Sequence, residues 1–443
     1  MLPRVNPVEI VALLVISLTG CATAATPSPD VAGDARQNLD SLVIARAEAG
    51  DSSALAAVLD KNCGKGAERA KCLEAELALA AGKGYVKIAM GALNKLAADP
   101  DIRRTGHVYA HAIGISAGTG RRDIAESFTQ CSESFQSGCY HGIIQAWFAS
   151  LDSVSGAEAN ELCAPFRRSE AQRWIRFQCV HGMGHGLTML YNHDLPKGLA
   201  GCDLLSDWWD RHSCYGGAFM ENIVNVTMPH HPASGLARHE SHSSDEHAGH
   251  DMAGMDHESP KFKAVDPNDL HYPCSIMAER YLTACYEMQT SVMLYDNKGN
   301  IAGAAKACES APARMRPICF ASLGRDVSSY AMGDHGEAVR MCSLVAANYQ
   351  PWCYHGLVKN VIDLDARPQD GISMCREVPT QEGKTLCYNA VGEQIMILMP
   401  APEARRSACS ASEADYEGAC LYGARVTTLA PGILLKVWEN TRK

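Results

Sequence analysis

The sequence predicts an all-α protein, an α-solenoid of about nine disulfide-stapled helical hairpins with a period near 34 residues. Three observations carry that expectation. First, paired cysteines recur at a fixed interval. In the C-terminal half the second member of each pair falls at Cys285, Cys319, Cys353, Cys387 and Cys420, steps of 34, 34, 34 and 33 residues. The first member lies 11 or 12 positions earlier, at Cys274, Cys308, Cys342, Cys375 and Cys409. The unit recurs upstream with looser spacing as Cys131/Cys139, Cys163/Cys179 and Cys202/Cys214. Second, strand signals are scarce: there is no long period-2 alternation, and β-branched residues are scattered among Ala, Leu and Met. Third, the clearest unit reads as two helices, 336–347 and 353–362, joined by a turn that carries Pro351.

From the N-terminus, one Arg (Arg4) precedes an apolar run from Ile10 to Leu18 and then Leu18-Thr19-Gly20-Cys21. The run is shorter than the ~20 residues a spanning helix needs, so residues 1–20 read as a signal peptide outside the fold. The tetrapeptide resembles the bacterial lipobox, and the resemblance implies a lipid anchor on Cys21. With Ala22 rather than Asp after the cysteine, it further implies the outer membrane, with the body in the periplasm or at the surface. Residues 21–35, rich in Pro, Asp and small side chains, read as a flexible tether.

Nineteen cysteines less Cys21 leave an even eighteen. In an oxidising envelope that number reads as nine disulfides, and the regular local spacing favours bonds within a repeat, including Cys63–Cys72. Ligation of a metal by these cysteines is the alternative, weakened by the absence of CxxC pairs. In repeat length and in one bridge per hairpin, residues 120–430 resemble the cysteine-rich Sel1-like and tetratricopeptide solenoids. The likeness implies architecture alone, because the cysteine spacing is wider and the Gly/Ala/Leu consensus is absent. A net charge of −10 argues against nucleic acid and suits retention of cations.

Within the first helical block, 36–227, and again in the last, 266–443, the second helices share a pattern counted from their cysteine. The next residue is aromatic or apolar (Tyr140, Val180, Tyr215, Tyr286, Phe320, Tyr354, Tyr388, Leu421) and reads as core. The third is mostly small (Gly142, Gly182, Gly217, Ser322, Gly356, Ala390, Gly423), which predicts close approach of neighbouring helices. The second and sixth are four apart and share one face. That face is polar in repeat after repeat and predicts a concave working surface.

Histidines concentrate on it: His107 and His111 in a frame with Thr105 at the cysteine position, then His141, then His181 and His185. Imidazoles at i and i+4 on a helix can share a metal ion. Val108 and Gly182 stand where an HExxH protease would have its glutamate, so that reading is poor. Met220, Glu221 and Glu287 are candidate further ligands, and Glu221 is the candidate base if the site is catalytic. The alternative is that the histidines hydrogen-bond within helix interfaces or line a peptide groove. Further along the stripe, Glu287, Arg325, Lys359 and Glu393 read as a ligand groove or an ion-pair ladder.

The interval from Cys214 to Cys285 holds an insert, 228–265, of low-complexity polar sequence that reads as disordered. It carries His230, His231, His239, His242, His247, His250 and His257 with Met252 and Met255. Imidazole suits Cu, Zn and Ni, and thioether favours Cu(I). The run HAGHDMAGMDH resembles the His/Met tracts of bacterial periplasmic copper-handling proteins. A plain solvated linker and a pH-responsive loop are the alternatives. Three functions follow: an envelope lipoprotein that binds copper or zinc through the helical cluster and this loop, a metal-dependent enzyme using the same cluster, or a scaffold for a protein or peptide partner.

Overall fold

The computed structural model describes residues 29–227 and 262–440, apart from 122, 170, 171 and 332. It is all-helical, and its helices pack neighbour to neighbour as an α-solenoid. The stretch 1–20 expected to be a signal peptide, Cys21 expected to carry a lipid anchor, and the histidine-rich stretch 228–261 lie outside the described residues.

Four helices open the chain: α1 (Pro29–Glu48), α2 (Ser52–Asn62), α3 (Ala67–Gly82) and α4 (Val86–Leu96). The first begins inside the stretch expected to be a tether. Next come α5 (Pro100–Gly118), α6 (Ile124–Phe128), α7 (Gly138–Ala149), α8 (Gly156–Leu162), α9 (Arg173–Leu190), α10 (Leu195–Cys202) and α11 (Trp208–Thr227). After the insert follow α12 (Leu282–Tyr286), α13 (Gln289–Asp296), α14 (Ile301–Ser310), α15 (Arg316–Tyr330), α16 (His335–Cys342), α17 (Gln350–Asp363) and α18 (Pro368–Glu377). The chain ends with α19 (Gln381–Leu398), α20 (Pro402–Cys409), α21 (Glu417–Gly423) and α22 (Gly432–Asn440).

Short first helices alternate with long second helices, and the sequence fixes where each starts. Five of the first helices are opened by side-chain caps, Asp123 on α6, Asp194 on α10, Asn300 on α14, Asp334 on α16, and a Ser155/Glu158 capping box on α8, while α18 and α20 open on a proline. Cysteines then bridge to the second helix. All nine expected pairs are disulfides, with Cα–Cα distances from 5.3 to 5.9 Å. In the 342–353 unit the first helix stops at Cys342, five residues short of the sequence expectation. The Gln350 amide takes over the carbonyls of Ser343 and Val345 at 3.2 and 2.9 Å, so the turn is closed without further helix. Pro351 sits at the start of α17, where its missing N–H costs nothing. The 274–285 unit differs more. A 3₁₀ turn, Cys274–Ile276, replaces its first helix, and its second helix breaks at Glu287 into α12 and α13.

The long helices form an inner wall in the order α5, α7, α9, α11, α12/α13, α15, α17, α19, α21. Residues just after the second cysteines are buried core, Tyr286, Tyr354, Tyr388 and Phe320 almost fully, except Leu421, which is half-buried against its edge. The small residues at the third position are needed for contact between backbones. A Cβ on Gly356 would lie 1.7 Å from the Ala321 carbonyl oxygen, and one on Gly217 1.9 Å from that of His181. Gly356→Ala is expected to cost about 2–3 kcal/mol through forced separation of α15 and α17, measured as a lower midpoint in urea unfolding; an unchanged midpoint would show that the backbones do not meet.

The wall also curves until its first helices meet α17 and α19. Gln136, just ahead of α7, donates its side-chain amide to Asn360 Oδ1 at 2.7 Å, and its backbone N–H reaches the Leu364 carbonyl at 3.3 Å. Arg103 on α5 lies 3.7 Å from Asp365 beyond α17, and α9 contacts α19. The polar stripe therefore faces a partly enclosed central chamber, not an open groove. Among the described residues no helix is long and apolar enough to cross a membrane.

Candidate metal centre

The chamber has a volume of about 440 Å³ and is lined from α5 round to α19. Its wall includes His141, His181, Gly216, Glu287, Ala321 and His355 from the second stripe position, and Met220, Arg325 and Lys359 from the sixth. The inner helices deliver these side chains because the repeats stack in register. Backbone contact at the glycines brings successive histidine positions close together.

All five helical histidines converge. Ring centroids of His107 and His111 are 4.5 Å apart, His111 and His141 5.4 Å, His111 and His185 5.2 Å, His141 and His181 5.0 Å, and His141 and His185 5.3 Å. Two groups of three can hold a metal ion, His107/His111/His141 and His141/His181/His185, with the candidate donor atoms of each group within 4.8 Å of one another. His141 belongs to both.

The back of four of the five rings is tied down. His107 Nδ1 lies 2.8 Å from the Phe135 carbonyl oxygen, His111 Nδ1 2.8 Å from Gln145 Oε1, and His185 Nδ1 2.9 Å from Glu221 Oε2. His141 uses its other nitrogen, Nε2, toward Gln178 Oε1 at 2.9 Å. Each acceptor demands an N–H, which fixes the tautomer and leaves the opposite nitrogen as a lone pair. Those lone pairs point at one another. His107 Nε2 and His111 Nε2 are 3.1 Å apart, while His141 Nδ1 and His185 Nε2 are buried with no hydrogen-bond partner. Two imidazoles on one tetrahedral metal at ~2.0–2.1 Å have nitrogens about 3.3 Å apart, so the pair is set at the bite of an ion. Gln145 donates to Glu221 Oε2 at 3.1 Å, joining His111, Gln145, Glu221 and His185 in one chain across α5, α7, α11 and α9. Metal-binding histidines characteristically carry such outer partners.

The environment keeps the rings neutral. Burial lowers His107 to about 4 and His185 to about 3, and burial with mutual repulsion holds His111, His141 and His181 well below the ordinary imidazole value. The unfolded chain protonates these rings near pH 6.5 and the folded chain does not. Metal-free protein is therefore expected to hold this contribution fully above pH 6.5 and to lose it as pH falls toward 3–4. Asp363, raised by burial to about 7, works in the opposite sense, but it is one group against five. Melting temperatures that hold steady from a pH of about 7 to about 4.5 would contradict this.

Other sequence candidates fall elsewhere. Glu221 stands behind His185, as its orienting partner, with His193 3.9 Å away. That position suits an outer partner better than a base. Met220 lines the chamber, and Glu287 pairs with His212 at 3.5 Å. The charged part of the stripe forms the facing wall: Glu393 meets His355 at 3.1 Å and Lys359 at 3.4 Å, and Arg325 holds Asp326 at 2.7 Å. Burial opposes the charge on Glu393, yet His355 and Lys359 bring it down to about 2. His230, His231, His239, His242, His247, His250, Met252, Met255 and His257 lie outside the described residues.

Sequence reasoning missed Gln178, Ser213 and Trp352, one residue before their cysteines, and Trp174 and Trp209, five before; all line the chamber. It also missed Asp363, ten after Cys353. Extending the two-and-six stripe by whole helical turns in both directions would have found them. No protein-family model matches the chain, and no curated protein and no solved structure does either.

Proposed function

We propose that this is an envelope lipoprotein that binds a transition metal ion, copper or zinc, in the helical histidine cluster, with the His/Met-rich stretch 228–265 as a labile capture site. One observation carries the reading: five imidazoles, His111, His141, His181 and His185 buried and His107 half-buried, gather around a common volume, and four of them are tied at one nitrogen. An all-imidazole donor set suits both Cu and Zn. The Met220 thioether on the chamber wall adds a soft donor within the same space. The lipobox-like Leu18-Thr19-Gly20-Cys21 supports the anchor and the outer-membrane address.

A second reading, a metal-dependent enzyme at the same centre, is favoured by the chamber, which gives a small molecule access to the histidines. A scaffold that lays a peptide along the stripe is disfavoured by the closure of the wall. The test is elemental analysis of protein made in an oxidising compartment without a His tag and dialysed against a weak chelator, beside a variant lacking 229–260. One or two equivalents of Cu or Zn kept by both would support the helical site. Metal held only by the complete chain would reduce the function to capture by the insert, and metal in neither would overturn the proposal.

A further inference from the structure

Resting on the metal reading above, we infer that the chamber beside the histidines receives a small aromatic molecule with a single anionic oxygen donor, an arenecarboxylate or phenolate, whose oxygen completes the coordination of the metal. Access comes first. His107, His141 and His181 line the chamber, so an open coordination position on the ion faces that space. Charge comes second. Every donor is a neutral imidazole, and the one carboxylate of the centre, Glu221, is engaged behind His185 and Gln145. A divalent ion held this way keeps its positive charge in a buried place, where an unpaired charge is costly. An anionic oxygen arriving from the chamber removes that cost.

The facing wall sets how many charges the ligand carries. Its cations, Arg325 and Lys359, are already paired with Asp326 and Glu393 and offer no second anion site. The Glu287 carboxylate lines the same space and would repel a second anionic group. The apolar surface sets the rest of the molecule. Trp174, Phe177, Trp209 and Trp352 line the chamber, flat surfaces against which an aromatic ring packs well. A volume of about 440 Å³ falls in the range of small-molecule sites and leaves room for one or two rings.

The experiment uses the complete chain loaded with cobalt(II), whose visible bands report its ligands. Benzoate should shift the bands and saturate, while acetate and terephthalate should need at least ten times the concentration. Ala321→Phe and, separately, Ile318→Trp fill the chamber from α15, which carries none of the five clustered histidines. Each should leave cobalt uptake unchanged and abolish the benzoate response. Protein that takes up no cobalt sinks the metal reading together with this inference. Uptake with bands indifferent to benzoate, or a benzoate response that both filled variants retain, sinks this inference alone. Acetate binding as tightly as benzoate would overturn the aromatic part of the assignment.

Discussion

Replacing His141 with alanine is expected to abolish metal retention while leaving the solenoid folded. This ring is shared by both triads, and its Nδ1 is buried with no other partner. Loss of a mere outer partner of a metal-bound histidine costs about 10–100-fold in affinity; loss of a donor common to both groups should cost more than about 100-fold by the same scale. The control is His355→Ala. That ring sits on the opposite wall, bonded to Glu393, and its removal should leave metal content untouched. Competition against a chromophoric chelator measures both. Equal affinity in parent and His141→Ala protein would mean that the metal, if bound, sits elsewhere.

Reduction of the disulfides should have the largest effect on stability. The bridges close loops with sequence separations from 8 to 16 residues, each worth about 2–3 kcal/mol by the chain-entropy model. Half of their sum would still match the whole stability of an ordinary domain, about 5–15 kcal/mol. The reduced chain is therefore expected to lose cooperative unfolding, or to melt far below the oxidised protein, when followed by circular dichroism with and without a phosphine reductant. Coincident melts would assign stability to helix packing alone. Buried sulfurs give a second readout: Cys139, Cys163, Cys179 and Cys202 are fully buried, so reduction of the folded state should be slow without denaturant.

Much of this was legible before any coordinates. The cysteine beat dictated the hairpins because a covalent staple of fixed span must join the same two helix ends each time. That His107, His111, His141, His181 and His185 share one face, and so can meet in one volume, followed from register, since equivalent positions on stacked helices line up. Three things were hidden. Closure of the wall at Gln136 and Asn360 depends on small rotations accumulated over several repeats, which no local pattern records. The reach of the working face to Gln178, Trp174 and Asp363 was concealed by a frame confined to positions two and six. The role of Glu221 was hidden because a carboxylate one residue from the stripe reads equally as ligand, base or buttress until its neighbour is seen.

The meeting of Gln136 with Asn360 and Leu364 also changes how the chain should come apart. An open solenoid melts piecewise, each unit leaning only on its neighbours. Here the two halves lean on each other across the centre, so unravelling from one end removes the far support of the other. The array is therefore expected to unfold as one cooperative body, and an ion held on one side would be coupled through the circumference to the side that never touches it.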